Sequence, residues 1–410
     1  MDDPMNLLIL DGSSSITQDS PPSVDPVGFL HELAERTQLL ACLRWLGEFH
    51  VLACVPLKTS VPLKDVAHLV NIPESQLIPV IRFTATAGFL CEPQPGHVAH
   101  TILSAHFVTS PTLLDTLMFL TQVAVPSSMQ MSAATKRTGG TFGSTDSSCY
   151  NIAFNTATTF ATTCSGCGKT QRQAAAFEQL TGDGSDNGDI MDILPCLDWL
   201  HLNDVTIVED IKVNARSTAT ADSLSSLLPS LSFIVQYHEP EDTGLSRIRP
   251  QRSLSAAPLP HQPLSSTGSH PRVSIQYRTP GTPQIVEGAA VYIIHLPQAS
   301  LSRPVQSVIN ESVVELKAHF AALRAHPNSV VILVARVLPE PGTVNSDVER
   351  AARLRNLSMH QIAKVQDPGV HDITEVLNKA SDGSFRLFLV NKYISRKSSV
   401  MAFEARCWAL

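Results

Sequence analysis

The 410-residue chain lacks three features that would place it in a membrane, in a secretory route or on DNA. No run of about 18 apolar residues occurs, so no membrane span is expected. The N-terminus has no signal-peptide pattern, because Asp2 and Asp3 carry the wrong charge and the apolar stretch at residues 5–10 is too short. Basic residues are not in excess: 30 Lys and Arg stand against 37 Asp and Glu, and the net charge of −7 disfavours non-specific binding to nucleic-acid phosphates.

Eight cysteines are present, and most of them lie in apolar stretches such as residues 39–55. Cysteines in such surroundings are predicted to be reduced core residues. Together with the missing signal pattern, they indicate a protein of the nucleus or the cytoplasm.

The chain is long enough for roughly two or three domains, and 43% of its residues are hydrophobic. Residues 1–28 are rich in Ser, Pro and Asp and are predicted to be disordered. Residues 29–110 are predicted to form a winged-helix, dimerisation-like domain, because a helical pattern over residues 31–54 precedes two short amphipathic helices and two short strands around a Pro/Gly turn. Residues 111–200 are predicted to be linker helices with a flexible loop at residues 135–148.

The rest of the chain, residues 201–410, alternates strand-like and helical segments, which predicts an α/β fold with a largely parallel, Rossmann-like sheet. A disordered insertion rich in Pro, Ser and Arg is predicted at residues 239–271. After it, strand-like segments lie at residues 273–277, 289–296, 329–338, 385–393 and 400–408. Helical stretches alternate with most of them, around residues 305–325, 346–365 and 372–380.

The segment CSGCGKT at residues 164–170 resembles two kinds of site at once. A phosphate-binding P-loop needs a preceding strand and a glycine five positions before Gly168, where this chain has Thr163. A structural zinc needs two more ligands beside Cys164 and Cys167, and no matched pair of cysteines is present. A redox role would need a strand–helix junction of thioredoxin type. A polar loop between helices is the favoured interpretation, and no metal site is predicted.

Direct DNA binding is not expected from the predicted winged helix. Residues 31–110 carry five Lys or Arg against six Asp or Glu, and the candidate recognition helix at residues 74–88 has one cation, Arg82. DNA-reading helices need several cations. His97 and His100 on the predicted wing fall on opposite faces of a strand, so they are interpreted as ordinary surface histidines and not as a metal pair. A winged helix used for dimer packing is the better prediction.

Residues 205–239 begin and end like strands with a helical stretch between them, the pattern of an opening βαβ unit. The turn after the first strand of a nucleotide-binding sheet should be rich in glycine, and this turn contains none. The order of winged helix, linker helices and α/β domain nevertheless resembles the O-methyltransferases of plant caffeate type and their fungal polyketide-pathway relatives. The resemblance extends from about residue 31 to the C-terminus, and it is carried by residues 198–211, 227–236, 272–294, 337–343 and 349–364.

This resemblance implies a class I methyltransferase fold whose cofactor turn is eroded. Its three glycines, which bring backbone close to S-adenosylmethionine, fall on Asn214, Arg216 and Thr218. Each of these side chains would intrude where the ligand should lie. The acid that precedes the turn in the family falls on Lys212.

Three further positions of the family's site are also changed. The acid that holds the ribose hydroxyls falls on Tyr237, and the acid that faces the adenine falls on Thr279. The catalytic histidine falls on Ala299, so a general-base contribution of about 10²–10⁴ in rate is lost. His295 lies close enough to be considered as a substitute base. Losses in both binding and catalysis nevertheless predict a methyltransferase fold with no cofactor and no methyltransferase activity.

Residues 38–57 and 88–100 look very like the aflatoxin-cluster transcriptional co-activator family, the degenerate O-methyltransferase-like proteins of fungal polyketide gene clusters. The match is strongest over residues 38–110 and weaker through the insertion at residues 239–271. As the resemblance implies, such proteins associate with a pathway-specific Zn₂Cys₆ transcription factor and raise expression of the cluster. The chain is therefore predicted to be a nuclear, non-catalytic co-activator of an aromatic polyketide cluster that does not itself contact DNA.

Trp45 and Phe49 in the first predicted helix form a candidate partner surface, because aromatic anchors dominate interface energies. The same two residues fit a core, or the buried seam of a homodimer, at least as well. Two other functions stay open. One is a working S-adenosylmethionine-dependent O-methyltransferase acting on a polyketide intermediate, which the fold alone favours. The other is a scaffold that binds a polyketide between the two domains without chemistry.

Overall fold

The chain folds into two compact units, seen in a computed structural model. The N-terminal unit holds residues 13–182 together with residues 357–365, and the sheet unit holds residues 1–12, 183–356 and 366–410. Within these ranges the structure describes residues 7–9, 25–137, 147–182, 190–197, 199, 205–211, 218–238 and 270–409.

The first long helix, α1 (Pro26–Glu48), has a well-defined start. The carboxylate of Asp25 accepts hydrogen bonds from the backbone amides of Val27 and Gly28, which satisfies two amide groups that the helix leaves unpaired. Proline at the first helical position adds to this signal, because its missing amide costs nothing there. The prediction of disorder over residues 1–28 is therefore wrong from Asp25 onwards.

The helix predicted over residues 31–54 is interrupted near its end. His50 adopts a left-handed backbone conformation (φ 55°), which separates α1 from the short helix α2 (Val51–Cys54). The elements that follow are β2 (Val61–Pro62), α3 (Leu63–Val70), α4 (Glu74–Thr86), β3 (Leu90–Cys91) and β4 (His97–His100). The strands pair antiparallel in the order β2–β4–β3. The two short helices and two strands that were predicted appear as α3, α4, β3 and β4, whereas β2 was not predicted, and the assignment to the winged-helix class stays a prediction.

These helices and strands share one apolar core. Leu46 of α1, Leu63 of α3, Leu77 and Ile81 of α4 and Val98 of β4 are all fully buried. Leu77 and Ile81 stand four residues apart, the spacing that puts two side chains on one face of a helix. Burying each such side chain is worth roughly 1.5–3 kcal/mol.

The described residues between 102 and 181 are mostly helical, and helices were predicted for the linker segment at residues 111–200. A buried aromatic group holds them together: Phe119 packs against Phe160 and Phe177, with ring centroids 5.7 and 4.9 Å apart. The helices are α5 (Ile102–Thr109), α6 (Pro111–Phe119), α7 (Val125–Ser128), α8 (Met131–Arg137), α9 (Cys149–Ala153), α10 (Phe160–Ser165) and α11 (Gly168–Thr181), with a π-helical turn at Leu120–Ala124 between α6 and α7.

The two described ends of the loop predicted at residues 135–148 belong to a helix and to a helix cap. Helix α8 continues to Arg137, and Ser148 caps α9 by accepting a hydrogen bond from the Asn151 amide. Residues 138–146 lie outside the described residues. Among the described helices none is by itself long and apolar enough to cross a membrane, although residues 102–109 and 111–137 would pass that test as a bent pair.

The boundary between the units lies near residue 182, not at residue 200 as predicted. The cause is a short apolar segment in which Ile190, Ile193, Leu194 and Trp199 are buried. They pack in the same core cluster as the strands of the sheet unit. The linker helices therefore belong to the N-terminal unit, and the segment after them belongs to the sheet unit.

The sheet unit is built on an eight-stranded sheet that confirms the predicted α/β class. Its strands are β1 (Leu7–Ile9), β5 (Thr206–Ile211), β6 (Ser232–His238), β7 (Val273–Arg278), β8 (Val291–His295), β9 (Val330–Arg336), β10 (Phe385–Ile394) and β11 (Val400–Ala409). Their order is β1–β10–β11–β9–β8–β5–β6–β7, and only β11 runs antiparallel to its neighbours. The helices α12 (Ala219–Leu227), α13 (Val305–Ala325), α14 (Ser346–Ala363) and α15 (Val370–Lys379) connect the strands.

Two segments that were predicted to be disordered contain or adjoin strands of this sheet. Strand β1 lies within the N-terminal segment predicted to be disordered and pairs in parallel with β10, so that prediction is wrong for these three residues as well. The predicted insertion at residues 239–271 lies outside the described residues up to residue 269.

The central strands are buried on both faces, as expected for a parallel sheet. Along β8, Val291 and Ile293 belong to one buried cluster, while Tyr292 and Ile294 belong to the other. The order of connection reverses between β5 and β8, because the chain moves outward from β5 to β7 and then returns to the other side of β5. Ligands of open α/β sheets bind at the carboxyl ends of the strands at such a reversal.

Candidate functional site

Ionisable side chains cluster at the carboxyl ends of β5 to β8, at this reversal of strand order. Strand β5 contributes two consecutive acids, Glu209 and Asp210, which are 0% and 2% exposed. Consecutive side chains of a strand point to opposite faces, so each acid needs its own buried partner.

Asp210 is held between two basic side chains. Its carboxylate contacts the ring of His238 at the end of β6 and the guanidinium of Arg278 at the end of β7. Arg278 also contacts Glu315 of α13 and donates a hydrogen bond of 2.6 Å to the carbonyl oxygen of Thr282. Burial alone would raise the pKa of Asp210, but His238 and Arg278 outweigh it and lower that pKa to about 2. The carboxylate is therefore ionised at neutral pH.

A set of neutral hydrogen bonds extends this ion-pair network. Gln236 and Gln284 donate to each other through their side-chain amides, at 2.9 and 2.7 Å. The amide of Gln284 also lies 3.1 Å from Nε2 of His319, and Nδ1 of that ring lies 2.9 Å from the carbonyl oxygen of Glu315. Burial lowers the pKa of His319. A neutral ring that accepts at Nε2 and donates from Nδ1 satisfies both contacts.

The network does not fit a metal ion, although Asp210, Glu315 and His319 bring ligand atoms within 4.8 Å of one another. The guanidinium of Arg278 already contacts both carboxylates. A metal ion bound there would be repelled by this buried guanidinium, which is permanently charged. Arg278 therefore takes the role of the cation, and we assign this cluster to charge compensation.

On the opposite face, Glu209 is paired with His295. Its Oε1 lies 3.0 Å from Nε2 of His295, the last residue of β8. Oε2 of Glu209 is buried and has no hydrogen-bond partner among the described residues. His295 is partly exposed at a cleft of about 310 Å³.

The positions that were predicted to be eroded have ordinary structural contacts or surface exposure wherever the structure describes them. Thr218 precedes α12 and donates a hydrogen bond of 2.7 Å to Asp222 in its first turn. Tyr237 is buried in the core cluster that contains Trp199, and Thr279 is exposed just after β7. Lys212, Asn214 and Arg216 lie outside the described residues.

Ala299, the position predicted to replace the catalytic histidine, is buried and structural. Its carbonyl oxygen accepts a hydrogen bond of 2.8 Å from Arg355. Arg355 is itself buried and donates to both carboxylate oxygens of Asp367, at 2.8 and 3.1 Å. The backbone at Ala299 is thus anchored by a buried ion pair.

The motifs of the N-terminal unit do not form a site of their own. Helix α10, not a strand, precedes Gly168, so the segment at residues 164–170 is not a P-loop. Cys164 is buried in α10 and Cys167 is exposed at the start of α11, which confirms a short connection between helices. His97 and His100 are both half-buried, and the ring nitrogens of His100 lie 2.9 Å from Ser104 Oγ and 3.1 Å from the carbonyl oxygen of Leu52.

Trp45 and Phe49 form a pair at the end of α1 with ring centroids 5.0 Å apart. Trp45 is half-buried and packs against the core of the N-terminal unit. Phe49 is 43% exposed. Of the two predicted surface residues, Phe49 is therefore the accessible one.

No family model matches the chain, but individual relatives match it over most of its length. It is 42% identical to the monodictyphenone cluster transcriptional coactivator mdpA of Emericella nidulans, over 93% of this chain and 84% of the relative. It is 40% identical to the geodin cluster transcriptional coactivator gedD of Aspergillus terreus, over 92% of this chain and 95% of the relative. The chain belongs to this family of cluster transcriptional co-activators.

Solved structures show that this chain shares its fold with class I methyltransferases. OxaC in complex with SAH and oxaline is 18% identical, with a TM-score of 0.57 over 93% of this chain and 88% of that chain. The mitomycin 7-O-methyltransferase MmcR is 15% identical, with a TM-score of 0.53 over 93% of this chain and 97% of that chain. At these identities the likeness establishes the fold alone.

The ion-pair network of this co-activator was not predicted from its sequence. Arg278 stands directly before Thr279, and His238 directly after Tyr237, so each is adjacent to a position that was considered. A signal was present in the two consecutive acids of β5, because two carboxylates inside an apolar strand require buried basic partners. Which residues those partners are depends on contacts between distant parts of the chain.

Proposed function

We propose that this chain is a non-catalytic transcriptional co-activator of an aromatic polyketide gene cluster, acting in the nucleus with a pathway-specific Zn₂Cys₆ transcription factor. The observation that carries the proposal is its identity of about 40% to transcriptional coactivators of the monodictyphenone and geodin clusters, over more than 90% of its length. The chemistry of the sheet edge supports it.

The charge distribution at the sheet edge argues against S-adenosylmethionine. S-adenosylmethionine carries a sulfonium cation. The two carboxylates of the ion-pair network at this edge of the sheet, Asp210 and Glu315, are already neutralised by Arg278. Contacts with both acids raise the pKa of Arg278 against the effect of its burial, so it stays charged. Strand β6 ends in Tyr237 and His238, neither of which can accept two ribose hydroxyls as a carboxylate does.

We place the partner surface on α1. Phe49, directly after the helix, is exposed beside Trp45, and four apolar side chains near the start of the helix are more than half exposed: Val27, Phe29, Leu30 and Leu33. Exposed aromatic and aliphatic side chains on one helix are typical of a protein interface. The transcription factor supplies the DNA contact, since the N-terminal unit has no excess of cations. A second copy of this chain is the other occupant that this helix suits.

Deleting the gene is the direct test. The deletion is expected to lower transcripts of the surrounding biosynthetic genes, and complementation with the wild-type gene is expected to restore them. Unchanged transcripts in the deletion strain would remove the co-activator function.

The competing function is that of an O-methyltransferase, and the shared fold is the observation that favours it. Calorimetric titration of the purified chain with S-adenosylmethionine separates the two. No heat of binding at millimolar ligand is expected. Micromolar binding, followed by transfer of a labelled methyl group to a polyketide phenol, would establish the enzyme instead.

A further inference from the structure

Strands β10 and β11 expose part of one of their two faces. Consecutive side chains of a strand point to opposite faces. Leu387 of β10 and Ala405 of β11 pack in a buried cluster on one face. None of the residues that alternate with them on the opposite face belongs to that cluster or to the cluster that contains Trp199. We call four of these side chains the β10–β11 patch: Arg386, Phe388, Arg406 and Trp408.

The β10–β11 patch has two aromatic rings on one diagonal and two guanidinium groups on the other. Arg386 pairs with Trp408 across the strands, and Phe388 pairs in the same way with the other arginine. The guanidinium of Arg386 lies over the ring of Phe388, 4.0 Å from its centroid. The rings of Phe388 and Trp408 meet edge to face at 69°, with centroids 6.2 Å apart. These contacts fix the four side chains in one arrangement.

The positive charge of the patch is largely uncompensated. Arg386 forms no ion pair with any described acid, and its buried Nε has no hydrogen-bond partner among the described residues. Arg406 is 49% exposed and lies 3.8 Å from Glu404, a long distance for an ion pair. That acid already accepts two hydrogen bonds from side chains of β10, at 2.8 and 2.7 Å. The patch is therefore cationic on a chain whose net charge is −7.

Trp408 gives the patch its apolar surface. Its side chain is 62% exposed, although tryptophan is highly buried on average in folded proteins. Tryptophan and arginine are among the residues that contribute most to binding at protein interfaces. An exposed tryptophan beside two guanidinium groups therefore indicates a docking surface.

Charge decides which kind of partner suits this surface. A second copy bound through a two-fold axis would bring the patch against itself, so that arginines would face arginines. Nucleic acid is disfavoured, since the patch offers two cations on an acidic chain. A peptide with carboxylates is complementary, because one guanidinium can donate two parallel hydrogen bonds to one carboxylate.

The spacing of the patch fits an extended peptide. On each of the two strands, the arginine and the aromatic residue are two positions apart, which is about 7 Å along a strand. An extended peptide repeats the side chains of one face at the same interval. Acidic and aromatic side chains that alternate on that face can therefore meet a guanidinium and Trp408 together.

From this geometry we propose that the β10–β11 patch binds an extended acidic segment of another protein, in which acidic and aromatic residues alternate on one face. The guanidinium groups of Arg386 and Arg406 pair with its carboxylates, and Trp408 packs against its aromatic side chain. This binding goes beyond the co-activator function and does not depend on it. The patch belongs to the sheet unit and the partner surface on α1 to the N-terminal unit, so either can fail without the other.

Peptides that differ only in charge or in aromatic content test the proposal. A fluorescein-labelled peptide with three repeats of Asp-Ser-Phe-Ser is titrated with the full-length protein, and its anisotropy is recorded. Saturable binding is expected, and it should weaken as salt is added. Replacing every Asp by Lys, or every Phe by Ser, is expected to weaken binding at least tenfold. Equal binding of the acidic and the Lys peptide, or no saturable binding of the acidic one, would overturn the proposal.

A variant at Trp408 locates the binding. Trp408→Ala is expected to weaken binding of the acidic peptide more than tenfold. Tyr277→Ala is the matched control, because Tyr277 is a 52% exposed strand residue whose ring lies 6.1 Å from that of Tyr237. This control should bind as the wild type does, and melting temperatures confirm that both variants are folded. An equal loss of binding in the two variants would contradict the assignment to the patch.

A charge reversal tests the role of the arginines. Arg406→Glu is expected to weaken binding of the acidic peptide more than tenfold and to strengthen binding of the Lys peptide. Arg303→Glu is the matched control, because Arg303 is 43% exposed and lies 3.7 Å from Glu311, so that both substitutions place one glutamate beside another. The control should change neither affinity. If Arg406→Glu also leaves both affinities unchanged, the arginines have no role and the proposal falls.

Two further measurements distinguish the other occupants. A labelled oligothymidylate of the same length is expected to bind more weakly than the acidic peptide. Tighter binding that Trp408→Ala abolishes would assign the patch to nucleic acid, and the proposal would be withdrawn. Analytical ultracentrifugation is expected to give the same mass for the wild type and for Trp408→Ala. A dimer that this variant loses would instead assign the patch to a second copy of the chain.

Discussion

The guanidinium of Arg278 contacts the carboxylate of Asp210, although 68 residues separate the two in the chain. Their side chains are 2% and 1% exposed, and Arg278 also contacts Glu315. The pair occupies the sheet edge at which related folds bind their ligands. A cation supplied by the protein thus stands at the position where an α/β fold usually receives a ligand.

Removing the guanidinium should destabilise the sheet unit strongly. Arg278→Met leaves Asp210 and Glu315 buried without their common cation, and such a loss costs about 3–5 kcal/mol. Urea denaturation followed by circular dichroism measures the effect. Arg350→Met is the matched control, because Arg350 pairs with Asp347 on the exposed face of α14, where an ion pair contributes about 0–1 kcal/mol. Similar losses in the two variants would show that the buried network is not stabilising.

Acid should release the contribution of Asp210. Its folded pKa of about 2 lies below its ordinary value of 3.8, so the unfolded state binds the proton first as the pH falls. The stabilisation is complete above about pH 4 to 5 and is lost as the pH falls through 2, with a total on the order of 2–3 kcal/mol. Asp210→Asn should remove this part of the acid dependence, whereas Asp347→Asn on an exposed helix should keep it. Stability curves between pH 5 and 2 that are parallel for Asp210→Asn and the wild type would contradict the assignment.

Gly281 forms the turn after β7 and should tolerate no side chain. Its φ is +71°, and a β-carbon there would stand 2.9 Å from Cγ1 of Val314. Gly281→Ala is expected to cost about 1–2 kcal/mol for the left-handed backbone and about 1–3 kcal/mol more for the close contact. Gly342→Ala has a similar φ of +77° with nothing within 4 Å, so it should show the first cost alone. Melting temperatures of both variants measure the difference, and Val314→Ala combined with Gly281→Ala should recover part of it.

The sequence predicted the elements of the sheet unit well, because their signals are local. Continuous apolar runs marked β8 and β9, and the predicted helix at residues 305–325 matches α13 (Val305–Ala325). Where the predicted bounds of an element were wrong, the cause was a small local feature or a packing contact. Asp25 starts α1 early through its cap, and His50 breaks the following helix through one left-handed residue.

The site was the harder part to predict, because its partners meet only in the folded chain. Arg278 and Glu315 are 37 residues apart, and no spacing rule connects them. The sequence predicted that the family's site residues are changed, but it did not predict the ion-pair network at the same sheet edge. Consecutive buried acids, such as Glu209 and Asp210, were the available signal that buried basic groups would be found nearby.

Phe49, the residue directly after α1, allows a direct test of the proposed partner surface. Phe49 and Phe154 are 43% and 42% exposed, and each packs one side of its ring on a neighbouring aromatic ring, Trp45 and Tyr150. Phe49→Asp places a charge in the proposed interface, where loss of an aromatic anchor costs about 2 kcal/mol or more, and it should lower cluster transcripts in a complemented deletion strain. Phe154→Asp has the same change in chemistry and should activate as the wild type does. Co-purification of the co-expressed Zn₂Cys₆ factor should follow the same order, and activation by Phe49→Asp at the wild-type level would move the partner surface away from this end of α1.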